Sequence, residues 1–218
     1  MFAVLSPFEA FGFATVAWTL SKGRTDVSLS AGWLLALGAL ISVTALGLLK
    51  FTIERLSGLS TLLAVIVLLG ALAALAAGVG FLRVAPEPSP VTLNPGPLVL
   101  GLVGVVVAGA ALFINYDGFS SLWLEFQEGD SAEFFLEPAV IVIAALMGLG
   151  LLGSRAGLAA GLLLGTGLAA TLHYVGLLVA AERAIGEVGE VKAAGFIGVL
   201  GGLLILAAGA LAARTGRT

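Results

Sequence analysis

Six segments of the chain are each apolar over about twenty residues, the length of helix that crosses a bilayer core at about 1.5 Å of rise per residue. They cover residues 31–49, 61–82, 97–116, 134–153, 156–181 and 193–213 and carry almost no charge inside them. A soluble fold does not need six such segments in 218 residues. The pattern therefore predicts an all-α membrane protein, a bundle of six transmembrane helices.

The composition excludes a large water-exposed domain. Charged residues make up 11% of the chain, whereas soluble domains have about 25%. The segments between the predicted spans are too short for a second domain of about fifty residues, so we predict one membrane domain over residues 1–218. Within it, a proline-rich linker at 86–97 holds five of the seven prolines. This linker separates an N-terminal segment and helix pair (1–85) from a four-helix group (98–218).

The first twenty residues predict a short helix. Ser6 suits the N-cap, Pro7 the first helical position and Glu9 the third position of a capping box. A helix over residues 7–20 is about 21 Å long at the usual rise. We expect it to lie at the membrane face or against the bundle, and a seventh span is the alternative.

Lysine and arginine near span ends predict the orientation, because these residues are retained on the cytoplasmic side. One side receives six of them and the other side four; the six are Lys22, Arg24, Arg83, Arg155, Arg214 and Arg217, and the four are Lys50, Arg55, Arg183 and Lys192. The sequence thus predicts a cytoplasmic C-terminus and an external loop at 117–137, which has no basic residue. A bias toward Ala, Gly, Leu, Val and Arg is typical of a GC-rich bacterial gene, which points to the inner membrane.

Rows of small residues at four-residue spacing predict where helices meet. Small side chains let helix backbones approach closely in lipid. The predicted packing positions are Gly157, Gly161, Gly165 and Ala169 in the fifth span and Gly198 and Gly202 in the sixth, with a further row of Gly70, Ala74 and Gly78 in the second. We interpret these rows as contacts within the bundle, and a dimer face is the alternative.

His173 is the single histidine, and it continues the small-residue row of the fifth span, followed by Tyr174. An ionisable residue at membrane depth suggests a functional role. With Asn115 at the end of the third span, these residues form either a polar contact between helices or part of a proton or ion pathway. A haem or quinone contact is a third alternative. We favour the interhelical contact and predict no cofactor.

The external loop is acidic and carries an aromatic face. Its candidate cation or partner site consists of Asp117, Glu125, Glu128, Asp130 and Glu133. Phe119, Trp123 and Phe126 are spaced to share one face of a short amphipathic helix, which predicts an anchor at headgroup depth. The acidic spacing does not match a calcium-binding helix–loop–helix, so we predict no metal site and interpret the loop as solvated. Glu137 and Pro138 are expected to open the fourth span.

No catalytic motif occurs in the sequence. A phosphate-binding glycine loop, a zinc-binding H-E-x-x-H and a G-x-S-x-G nucleophile turn are all missing. The spans contain no acidic residue away from their ends, and no proline is expected to interrupt one. We therefore predict a non-catalytic multi-pass membrane protein, a scaffold, anchor or accessory subunit. Its expected partners are the lipid bilayer and other membrane proteins or further copies of itself, and not nucleic acid. The alternative is a small channel or transporter with His173 near its pathway.

Overall fold

The computed structural model describes residues 27–55, 58–84, 94–114, 132–185 and 189–215, and these ranges contain helices and no strand. In chain order the helices are α1 (Val27–Arg55), α2 (Gly58–Val84), α3 (Pro95–Ala110), α4 (Ala132–Leu151), α5 (Ala156–Ile185) and α6 (Gly189–Thr215). A 3-10 turn, Ala111–Phe113, follows α3 directly. Residues 7–20 lie outside the described ranges, so the N-terminal helix stays a prediction.

Five of the described helices are long and apolar enough to cross a bilayer. Their apolar windows are Val27–Leu46, Thr61–Arg83, Pro95–Phe113, Ala156–Gly176 and Ala193–Thr215. The predicted all-helical class is confirmed over the described residues, and the five helices are compatible with the predicted multi-pass membrane protein. In α4 the described apolar part is Pro138–Leu151, which is shorter than a crossing needs. The described residues therefore support five of the six predicted spans by length and composition.

The third helix begins earlier and ends earlier than predicted. Asn94 is its N-cap, and its side-chain oxygen accepts a 3.0 Å hydrogen bond from the backbone nitrogen of Gly96. Pro95 occupies the first turn, where a missing N–H costs no helical hydrogen bond. The end of the predicted linker is therefore already helical. The helix stops at Ala110 rather than continuing to residue 116.

Pro138 lies inside α4, which corrects the expectation that it opens the fourth span. The helix begins six residues earlier, at Ala132. Proline has no N–H, so the carbonyl of Phe134 loses its helical hydrogen bond. One predicted span therefore does contain an interrupting proline, and the proline ring is fully buried.

Two glycines bring α1 and α5 into backbone contact. A Cβ on Gly32 would lie 2.7 Å from a backbone nitrogen of α5, and a Cβ on Gly161 would lie 2.8 Å from the backbone nitrogen of Trp33. One turn further along both helices, a Cβ on Gly165 would lie 2.6 Å from the Cβ of Ala36. The paired residue numbers rise together, so α1 and α5 run parallel.

The remaining helix pairs with close glycine contacts run antiparallel. The contacts that show this are Leu35–Gly78 and Gly38–Leu75 for α1 and α2, Thr171–Gly202 and Gly167–Leu206 for α5 and α6, and Gly101–Ala208 and Gly104–Ile205 for α3 and α6. A short turn closed by a 2.8 Å hydrogen bond from the nitrogen of Arg155 to the carbonyl of Leu151 reverses the chain between α4 and α5. Successive described helices therefore alternate in direction.

Two ends of the bundle follow from this alternation. The turn end holds the α4–α5 turn, the beginning of α1 and the end of α6. The loop end is the opposite one, where α3 leads through Phe113 to Ile114, whose backbone is extended. Connector 115–131 joins α3 to α4 at the loop end, and it lies outside the described residues.

The fifth helix lies at the centre of the described bundle and the second at its edge. α5 packs against α1, α4 and α6, whereas α2 packs mainly against α1. Accordingly, 67% of the apolar window of α5 is buried but only 22% of that of α2. On the surface of α2 turned away from α1, described side chains such as Ile66 and Leu69 are exposed.

Replacing Gly161 by alanine should destabilise the bundle, because the new methyl group would overlap the backbone of α1 at Leu29. We expect a loss of about 1–3 kcal/mol in the free energy of unfolding, the range for overpacked sites. Reversible unfolding in mixed micelles would measure it.

The matched control is Gly150→Ala, because a Cβ there meets nothing within 4 Å. It should change the free energy of unfolding by less than about 0.5 kcal/mol. Equal stability of the two variants would contradict the backbone contact between α1 and α5.

Candidate functional site

His173 and Tyr174 lie next to each other in the half of α5 nearer the loop end. Both are buried, with exposed fractions of 3% and 1%. Their rings meet edge to face, with centroids 5.2 Å apart and an interplanar angle of 85°. The hydroxyl of Tyr174 donates a 2.8 Å hydrogen bond to the carbonyl oxygen of Ala108 in α3. A polar side chain of the central helix thus bonds to the backbone of another helix.

Four serine and threonine hydroxyls of α1 and α5 bond within their own helices. Each donates to the carbonyl four residues earlier; the pairs are Ser42–Gly38 (2.6 Å), Thr44–Leu40 (3.1 Å), Thr166–Leu162 (2.6 Å) and Thr171–Gly167 (2.8 Å). Hydroxyls commonly make this bond inside helices, and it satisfies the polar group without a second helix. These protons are therefore engaged locally, unlike that of Tyr174.

The proline of α4 lies level with His173. Gly148 of α4 packs against Leu163 of α5, where a Cβ would lie 3.0 Å from the leucine side chain. Pro138 lies ten residues before Gly148, and His173 lies ten residues after Leu163. Because α4 and α5 are antiparallel, both residues lie at the same distance from this contact, toward the loop end. Both are buried. The interruption in the hydrogen-bond ladder of α4 and the single histidine therefore occur at one depth.

The predicted packing residues of α5 line its contact with α1. Gly161 and Gly165 touch the α1 backbone and Ala36. Ala169 packs against apolar clusters that include Leu40 of α1 and Ile141 of α4, and Gly157 is half-buried. This row therefore follows one helix contact for most of its length.

The predicted packing residues of α6 face α5. The ring of Tyr174 lies over Gly198, so closely that a Cβ there would overlap ring atoms. A Cβ on Gly202 would lie 2.6 Å from the backbone nitrogen of Thr171. The row of α2 divides, because a Cβ on Gly78 would touch Leu35 whereas one on Gly70 would meet nothing within 4 Å.

Most of the predicted loop site lies outside the described residues. This holds for Asn115, Asp117, Glu125, Glu128 and Asp130 and for the aromatic anchors Phe119, Trp123 and Phe126. Glu133 falls in the first turn of α4, and its side chain is not among those described. Among the described residues, no group of three or more His, Cys, Asp or Glu side chains could hold a metal ion.

Comparison with protein-family models, with curated proteins and with solved structures finds no match to this chain. Functional inference therefore rests on the packing, burial and hydrogen bonds of the chain itself.

Sequence reasoning missed two features of this region. Gly32 supplies the α1 half of the α1–α5 contact, and its spacing to Ala36 is the same small-residue signal used elsewhere. Trp33 carries an indole Nε1 that is buried without a hydrogen-bond partner among the described residues. Only the packing of α1 against its neighbours, which a single sequence does not reveal, could identify that atom as buried.

Proposed function

We propose that this chain is a non-catalytic, six-span membrane protein that acts by associating with other membrane proteins, as a scaffold, anchor or accessory subunit. The observation that carries the proposal is the exposed face of α2. The number of spans and their orientation determine which surfaces a membrane partner can reach.

The packing of α4 supports a sixth crossing. α4 contacts α1, α3 and α5 and runs antiparallel to α5. Its full length, Ala132–Leu151 (20 residues), gives about 30 Å of helix, close to the thickness of a bilayer core. Because α3 and α5 both run in the direction opposite to α4, the chain has to return across the bundle through α4. We therefore count α4 as a span, with polar residues in its first turns at the loop end.

The sorting of charges supports a cytoplasmic turn end. Among the side chains that the structure describes, Arg83, Arg155 and Arg214 are exposed and lie at the turn end, whereas the acidic connector joins α3 and α4 at the loop end. Basic residues near span ends are retained in the cytoplasm. A single cysteine at Ser154, in a chain that has none, should react with a membrane-impermeant maleimide only after cells are opened. Labelling in intact cells would show that the turn end lies outside, the opposite of the proposed orientation.

The face of α2 turned away from α1 carries small residues that pack against none of the described helices. Gly70, Ala73, Ala76, Ala77 and Gly80 are all exposed. A Cβ on Gly70 or Gly80 would meet nothing within 4 Å, so no described neighbour requires glycine there. Lipid chains pack equally well against larger apolar side chains. A second helix, by contrast, can approach closely only where the side chains are small. This exposed face therefore suits a transmembrane helix of a partner.

We expect the native protein to purify in mild detergent as part of a larger complex. Ala77→Leu should lower the recovery of its partner by about tenfold or more, because overpacking a helix contact costs about 1–3 kcal/mol. Quantitative mass spectrometry of the affinity-purified complex would measure the ratio.

The matched control is Ala207→Leu on an exposed position of α6, which should leave partner recovery unchanged. Equal recovery with both variants would contradict the assignment of the α2 face. A protein that is monodisperse alone and conducts protons or ions in liposomes, with flux lost in His173→Ala, would overturn the proposal in favour of a channel or transporter.

A further inference from the structure

The α-helical part of α3 ends inside the membrane-spanning window, before the chain reaches the loop end. The N–H of Ala111 bonds to the carbonyl of Val107. Ala111 is also the first residue of the 3-10 turn, Ala111–Phe113. The carbonyl of Ala108 is thus the first one beyond the α-helical ladder. The last carbonyls of a helix lack partners within the helix, and in lipid no water is available to replace them.

The hydroxyl of Tyr174 fills this vacancy. It donates to the Ala108 carbonyl across 2.8 Å, and the tyrosine is buried with a 1% exposed fraction. The two residues are 66 positions apart in the chain. The bond therefore joins the central helix to the end of α3 where the helical geometry changes.

Two glycines of α6 make the bond sterically accessible. The ring of Tyr174 lies over Gly198, and any Cβ there would overlap it. Three residues further along α6, a Cβ on Gly201 would lie 2.7 Å from the Cα of Ala108. One glycine gives the ring its space, and the other lets the end of α3 approach close enough for the hydroxyl to reach.

We propose that Tyr174 acts as an interhelical cap that determines where α3 ends and so fixes the point from which the chain enters connector 115–131. Helix caps ordinarily come from residues adjacent in sequence. Here the cap comes from α5, so the position of the central helix is coupled to the exit of the acidic connector. A shift of α5 against α3 would break the bond and release the 3-10 turn.

Hydrogen–deuterium exchange of the amides of residues 111–114, measured in lipid nanodiscs, tests the cap. Tyr174→Phe removes the hydroxyl and keeps the ring over Gly198. We expect those amides to exchange about tenfold faster, since leaving a buried carbonyl unsatisfied weakens the local structure by about that factor. Exchange in the middle of α3 should stay unchanged.

Thr171→Val is the matched control, because it also removes one hydroxyl from α5 but one that bonds within its own helix. It should leave exchange at 111–114 unchanged. Gly198→Ala should reproduce the effect of Tyr174→Phe by displacing the ring, and the double variant should exchange no faster than either single one.

The proposal is overturned if Tyr174→Phe leaves exchange at 111–114 unchanged, or if Thr171→Val accelerates it equally. Additive effects of the tyrosine and glycine variants would also refute it, because they would act through separate contacts. Partner recovery with Ala77→Leu tests only the α2 face, and amide exchange with Tyr174→Phe tests only the cap. The two proposals can therefore fail independently.

Discussion

Backbone contact across glycine is the interaction on which the rest of this bundle depends. Apolar side chains gain little by leaving lipid for each other, so membrane helices associate mainly through close packing and a few polar contacts. Gly32 and Gly161 bring α1 against α5, and Gly202 brings α6 against the other side of α5. The central helix is held by small residues on two faces. Its burial, and the burial of His173, follow from that packing.

Among the described helices, several buried or half-buried hydroxyls are satisfied locally. Hydroxyls such as Ser42 and Thr166 bond to their own helix, so they add little to the association of helices. Tyr174 differs because its hydroxyl reaches Ala108 on another helix. The place where α3 changes into a 3-10 turn, the proline of α4 and the histidine all lie in the half of the bundle nearer the loop end. Within the described helices, these departures from regular α-helix therefore occur toward the loop end, whereas Arg83, Arg155 and Arg214 are exposed at the turn end.

The helical class and the approximate location of the helices could be predicted from the sequence, because an apolar segment in lipid must satisfy its backbone internally. Helix ends could not be predicted in this way. α3 changes into a 3-10 turn after Ala110, next to the hydrogen bond from the Tyr174 hydroxyl to the Ala108 carbonyl, and no residue nearby in the sequence signals this change. Pro138 was misplaced because proline favours a first turn, yet α4 starts earlier. The four-residue spacing of Gly161 and Gly165 indicated a helix contact, but their partner helix, α1, depends on three-dimensional packing. The acidic loop lies outside the described residues, so its role stays a prediction.

The central claim is that lipid surrounds the uncovered faces of these helices while glycine contacts hold their interior. Spin labels at Ile66, Val106 and Phe196, which are exposed apolar positions on three different helices, test it directly in reconstituted bilayers. The account predicts frequent collisions of each label with dissolved oxygen and few with a water-soluble nickel chelate, whereas a label at Ser154, exposed in the α4–α5 turn, should show the reverse. Strong collisions of the three surface labels with the nickel chelate would contradict it.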